Sequence, residues 1–214
     1  MFTGVVEENK AKKHWETLMR SLGNPHMGDI VFRSLWGRYA ESHRAYHNIR
    51  RIISMLDELY RLNESHGDQA VLGLGVWYHN AIYDPRSESN EAKSVVVATM
   101  DIKALRQSVS LGEKVTRLIM ATQHKVAPAN HLSRTIADLD LMILGAPPEA
   151  FDAYERAIRK EYSWMPEAKF RAERSRVLRS FFERPKVYLT QRFQEKFEAA
   201  AQGNLERSLL CLKA

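Results

Sequence analysis

The stretch NIRRIISMLDELYRL, residues 48–62, sets the fold class. Ile49, Ile52, Ile53, Leu56, Leu59 and Leu62 recur at spacings of three and four, which at 3.6 residues per turn lines them along one side of a helix. The same spacing returns along nearly the whole chain, and no convincing strand pair appears. Glycine and proline fall between the periodic runs: SLGNPHMGD (21–29), YDPRSES (83–89), VAPAN (126–130) and GAPPEAF (145–151), with Pro166 and Pro185 later. Helices start and stop at such residues. The pattern predicts an all-α, multi-helix bundle with helices near residues 8–22, 27–41, 44–65, 68–81, 90–107, 111–124, 131–144, 148–162, 166–183 and 190–212.

A chain of 214 residues is long enough to bury its own core and fits one domain. No repeat, low-complexity tract or flexible linker interrupts it. A single domain over 1–214 is expected, its core at about 35–165 and its C-terminal helices at about 166–212. The last of these, around KFEAAAQGNLERSLLCL (196–212), has an amphipathic face that suits the body of the chain or a second copy in a homodimer.

One cysteine, Cys211, provides no disulfide framework and no thiolate zinc cluster, which suits a reducing compartment. The opening MFTGVVEENKAKKHW lacks the layout of a secretory leader, and no apolar run reaches the roughly 18 residues of a membrane span. A soluble, cytoplasmic protein without a membrane partner is the expectation. The net charge of +6 and pI near 9.4 come from basic residues spread among acidic neighbours, as in RAERSRVLRSFFERPK (171–186). A nucleic-acid groove requires clustered Lys and Arg with interleaved aromatics, so solvated helix faces or a phosphorylated small ligand explain the excess better. The chain has no GxxxxGK loop and no GxSxG elbow.

Candidate ligands gather near helix ends. His47 is expected to open the third helix, His79 and Asn80 to close the fourth and His124 the sixth, while Asp138 and Asp140 lie in the seventh. Singly, each has an ordinary structural explanation, because histidines near helix C-termini interact with free carbonyls there. Together, imidazole nitrogens and carboxylate oxygens from several helices suit a transition-metal site.

Five stretches carry a resemblance: RYAESHRAYHNIRRIISML (38–56), VWYHNAIYDPRSESNEAKS (76–94), LIMATQH (118–124), IADLDLMILG (136–145) and YERAIRKEYSWMP (154–166). In that order they resemble a bacterial branch of the HD-domain superfamily, the predicted metal-dependent phosphohydrolases, over roughly residues 35–205. The resemblance implies a helical bundle in which a divalent ion (Mn, Fe, Ni, Co or Zn) acts on a phosphorylated small molecule such as a nucleotide. Carried over by position, it implies metal ligands His47, His79 and Asp140, with Asp138 as the alternative to Asp140, since side chains two apart on a helix point roughly 200° from each other. It also implies catalytic roles for His79, for the doublet position that Asn80 occupies and for His124, and substrate contacts from Glu41, Arg44, Asn90, Glu91, Arg159 and Tyr162; Arg51 joins the substrate contacts on the chemistry of its guanidinium.

Two positions depart from the family's pattern. Asn80 stands where the doublet has aspartate, and Arg51 where a second histidine usually follows the first. An amide offers a metal only a dipole and has no useful basicity toward a bound water. A guanidinium repels a metal cation but grips phosphate oxygens as a fork. The expectation therefore divides between an active phosphohydrolase and a catalytically impaired, metal-free domain that binds a phosphorylated or anionic ligand in a regulatory role.

Overall fold

The computed structural model describes residues 2–24 and 28–213. The expected helix start at residue 27 and the preceding Pro25 lie outside them. The described residues form ten α-helices, one 3-10 turn and no strand, so the chain is all-α. Among them no helix is long and apolar enough to cross a membrane. The chain divides into two compact units, Met1–Ile136 and Ala137–Ala214. The division falls near the middle of the seventh helix rather than at the Pro166 turn, where the sequence sets the C-terminal helices apart.

The first unit contains α1 (Phe2–Ser21), α2 (Asp29–Tyr39), α3 (Ile49–Leu59), α4 (His66–Tyr78), α5 (Asn90–Ala104), α6 (Val109–Ala121) and the first half of α7 (His131–Leu141). Its centre is α4, apolar on all sides from Ala70 to Tyr78, a pattern that places a helix inside a core. Helices α1, α3, α5 and α6 all pack on it. Trp15 of α1 and Phe32 of α2 meet Trp77 edge-on, with centroids 5.3 and 6.1 Å away. The Tyr39 hydroxyl donates to the Trp77 carbonyl at 2.8 Å, which ties the end of α2 to the last turn of α4. Burial pushes the Tyr39 and Tyr78 hydroxyls up from their ordinary range, so both are neutral donors at physiological pH.

The third helix is shorter than its apolar stripe suggests. Asn48 has extended backbone and its side chain accepts from the Arg50 amide at 3.0 Å, so it caps the helix. Residues 44–48 therefore lie in the preceding loop. The first helix departs the other way: α1 begins well before the expected residue 8, because nothing between Phe2 and Trp15 stops a helix except the exposed Gly4.

In the seam between α1 and α3, His14 lies 3.1 Å from Asp57 and stacks on Tyr60 at 5.5 Å. Burial holds its imidazole below the ordinary 6.5, and the pull of Asp57 only partly offsets this. The unfolded chain therefore takes up this proton at a higher pH than the folded one does. Stability should fall as pH drops below about 6.5, and His14→Gln should flatten that part of a stability–pH curve measured by urea denaturation.

The second unit holds the end of α7, the 3-10 turn Met142–Gly145, α8 (Pro148–Glu161), α9 (Glu167–Phe182) and α10 (Gln191–Lys213). The turn packs on α10 so tightly that a Cβ on Gly145 would lie 2.7 Å from the Phe197 carbonyl oxygen and 2.9 Å from the Tyr188 hydroxyl. Asn204 of α10 closes the same junction by donating to the Leu144 and Ala146 carbonyls at 2.9 and 2.8 Å. Gly203, one residue earlier, is exposed, and a Cβ added there would meet no atom within 4 Å. Gly145→Ala should cost about 1–3 kcal/mol through overpacking, whereas Gly203→Ala should gain about 0.5–1 kcal/mol from helix propensity. Chemical denaturation of the two variants checks the opposite signs.

Candidate functional site

The loop 40–48 and the turn 79–84 come together in the first unit. The Arg44 side chain is fully buried and its planar fork is spent on backbone and one carboxylate. Nε donates to Glu41 at 2.9 Å, one Nη to the carbonyls of His47 (3.0 Å) and Asn80 (2.7 Å), and the other Nη to the Ala81 carbonyl (3.2 Å). The backbones of His47 and Asn80, 33 positions apart in sequence, thus share one nitrogen. Above the guanidinium lie the Tyr39 and Tyr83 rings, at 5.1 and 5.6 Å from its carbon.

Tyr83 connects the two segments a second time. The His47 ring stacks on it with centroids 4.1 Å apart, and His43 stacks on it at 6.2 Å while donating from Nε2 to the Tyr83 carbonyl at 2.8 Å. On its other side His47 meets Tyr46 edge-on at 5.0 Å, and Tyr46 in turn lies 5.3 Å under the Arg51 guanidinium carbon. His47 lies outside α3, so Arg51 reaches the neighbourhood of His47 through Tyr46 and not, as the helical stripe implies, by standing one turn above it. Arg51 is only 6% exposed.

His79 caps the end of α4 and is 1% exposed. Its Nδ1 lies 2.8 Å from the Val76 carbonyl; a carbonyl only accepts, so Nδ1 carries the proton and Nε2 is the basic nitrogen of the neutral ring. Asn80 follows, half-buried. His124 is half-buried after α6, with φ 55. Arg106 after α5 has φ 54, and in both places the left-handed residue ends a helix where glycine is commonest. Helix termination therefore accounts for the His124 backbone. Its neighbour Gln123 donates to Glu91 at 3.5 Å, which brings the end of α6 to the start of α5.

Several residues that the resemblance implies as substrate contacts hold backbone. Asn90 accepts from the Asp84 amide at 3.0 Å and donates to the Asp84 and Ser87 carbonyls at 2.9 and 3.3 Å, closing the loop between α4 and α5. Glu41, 43% exposed at its side chain, buttresses Arg44 from the rim. In the second unit Arg159 donates to Glu167 and to the Tyr162 and Met165 carbonyls at 2.8, 2.8 and 3.2 Å. It thereby shapes the turn between α8 and α9, and Tyr162 packs in that turn against Trp164 and Phe170.

The two aspartates of α7 also separate. Asp138 is fully buried, and its carboxylate accepts from the Leu189 amide, the Thr190 amide and the Thr190 hydroxyl at 2.8, 2.8 and 2.7 Å. Both oxygens hold the chain just ahead of α10. Asp140 is half-buried. Among the described residues, no group of three or more His, Cys, Asp or Glu side chains is placed to hold a metal ion.

No family model matches this chain. Neither the curated proteins nor the solved structures hold a match to it. What the site can do follows from its own chemistry: two buried guanidiniums, imidazoles and an amide, with Glu41 on the rim. Of these groups, the guanidiniums attract anions and repel cations.

Tyr46, His43 and Tyr83 are the members that the sequence pattern does not assign to chemistry. The local signal is the density of aromatic and imidazole rings in HRAYH (43–47) facing a single tyrosine downstream. For Asp138, replacement by alanine should cost about 1–3 kcal/mol by leaving two part-buried amides unpaired. A thermal melt checks the loss.

Proposed function

We propose that this chain is a metal-free, anion-binding domain of HD type that holds a phosphorylated small molecule, such as a nucleotide, in a regulatory role. The observation that carries this reading is the seat of Arg51: a buried guanidinium over the Tyr46 ring, which in turn meets the His47 ring edge-on. A cation held there in low dielectric favours phosphate and opposes a divalent metal by direct charge repulsion. Asn80 adds neither the charge nor the basicity that metal-bound water requires. The five ordered sequence stretches support the family assignment, and a single exposed cysteine suits a reducing compartment such as the cytoplasm.

The rival reading is an active metal-dependent phosphohydrolase with His47, His79 and Asp140 as ligands. It is favoured by the shared Arg44 nitrogen, which brings His47 beside the His79-Asn80 doublet, and by the tautomer of His79, whose Nδ1 proton makes Nε2 the basic nitrogen.

Elemental analysis of protein purified without chelator or tag metal should find far less than one metal per chain, and added Mn²⁺, Ni²⁺ or Co²⁺ should give no phosphatase turnover. Phosphate or a nucleotide at a hundredfold its Kd should raise Tm by about 5–10 °C, and Arg51→Gln should abolish the rise. One metal per chain with turnover would establish the rival instead. The double variant Asn80→Asp, Arg51→His should bind Mn²⁺ or Ni²⁺ more tightly than the parent, read by titration calorimetry; no gain would show that these two positions do not share a site.

A further inference from the structure

We propose that Arg44 is a positioning residue: shared between the His47 and Asn80 carbonyls, its guanidinium sets the His47 ring against Tyr83 and raises anion affinity without touching the anion. The proposal rests on the anion-binding reading above for its functional half and on geometry alone for its structural half.

Arg44 is built to be unavailable to a ligand. Its side chain is 0% exposed. Of its five N–H donors, four bonds are made inside the protein, three of them to carbonyls at 47, 80 and 81. The carbonyls belong to two segments that have no ladder or helix to hold them together, since both are loop. The guanidinium replaces that ladder.

The ring contacts follow from it. Tyr83 lies against Arg44 on one side and against the His47 ring on the other, at 5.6 Å from the guanidinium carbon and 4.1 Å from the imidazole centroid. Shifting Arg44 therefore releases the His47 backbone and the aromatic surface that orients its ring together. A lysine cannot take over, because one tetrahedral ammonium cannot span the planar arrangement of three carbonyls and a carboxylate. Glu41, half-exposed on the rim, holds the Nε edge of the fork at 2.9 Å and is the one member that can be altered without disturbing the interior.

The experiment compares the parent with Arg44→Lys, Glu41→Gln and Arg174→Lys. Two quantities are read: the ring-current shift that Tyr83 imposes on the His47 Cε1 proton in a proton NMR spectrum, and the Kd for inorganic phosphate. Arg44→Lys should keep its helical circular dichroism, lose most of the His47 shift and bind phosphate at least tenfold more weakly. Glu41→Gln, which removes the charge from the acceptor of the Arg44 Nε bond and leaves the three carbonyl bonds in place, should move both quantities in the same direction by a smaller amount, and it decides the matter if Arg44→Lys does not fold. Arg174→Lys, at the buried pair with Glu155 in the second unit, should lower Tm and leave both unchanged. An unaltered His47 shift and phosphate Kd in Arg44→Lys, or in Glu41→Gln should the lysine variant not fold, overturns the proposal. A parent that shows the His47 shift but does not bind phosphate refutes the anion-binding reading instead, and the shift in the variants still decides whether Arg44 positions the ring.

Discussion

A cation cannot be left in a protein interior without partners, and Arg44 finds its partners in carbonyls that belong to different parts of the chain. Its guanidinium bonds to His47 on one side and to Asn80 and Ala81 on the other, so the loop before α3 and the turn after α4 cannot separate without exposing several buried polar groups at once. The end of α4 is itself fixed by the core, through Trp77 among Trp15, Phe32 and the Tyr39 hydroxyl. Order thus passes from an apolar helix to a polar clasp and from the clasp to the rings of His47 and Tyr83.

Around that clasp the chain uses side chains in place of regular structure. Asn90 closes the loop after Asp84, Arg159 the turn after α8, and Asp138 the approach to α10. Glu198 does likewise by accepting from the Val187 and Tyr188 amides at 2.9 and 3.2 Å. In the second unit the buried Arg174 pairs with Glu155 and with the Tyr154 hydroxyl at 2.7 Å. Burial alone would lower the basicity of Arg174, but Tyr154 and Glu155 outweigh it and hold the guanidinium firmly charged. Charged and amide groups thus stand in for backbone ladders at these loops and turns.

The helices are legible in the sequence because periodicity and punctuation agree. Pro148 starts α8 where the prolines of GAPPEAF predict it, and α9 follows Pro166. The apolar stripe over-extends the third helix because HRAYHNIR contains no proline or glycine, and only the cap at Asn48 decides where the helix begins. Of the site, the meeting of His47 with the His79-Asn80 turn is legible from the order of the motifs. The inward direction of Arg44 is not, since an arginine beside a glutamate reads the same whether it faces water or a carbonyl cage. The two aspartates of α7 diverge on their spacing alone, but which one is consumed structurally depends on Leu189 and Thr190, 51 and 52 positions away.

In the proposed function the two buried arginines near His47 have opposite duties: Arg44 holds the protein and Arg51 meets the anion. A phosphate titration followed on the arginine Nε–H resonances of ¹⁵N-labelled protein separates them directly. The account predicts that the Arg44 resonance is protected from hydrogen exchange and stays in place, while the Arg51 resonance shifts in a saturable way. An Arg51 resonance that ignores phosphate, or an Arg44 resonance that exchanges freely with water, would contradict it.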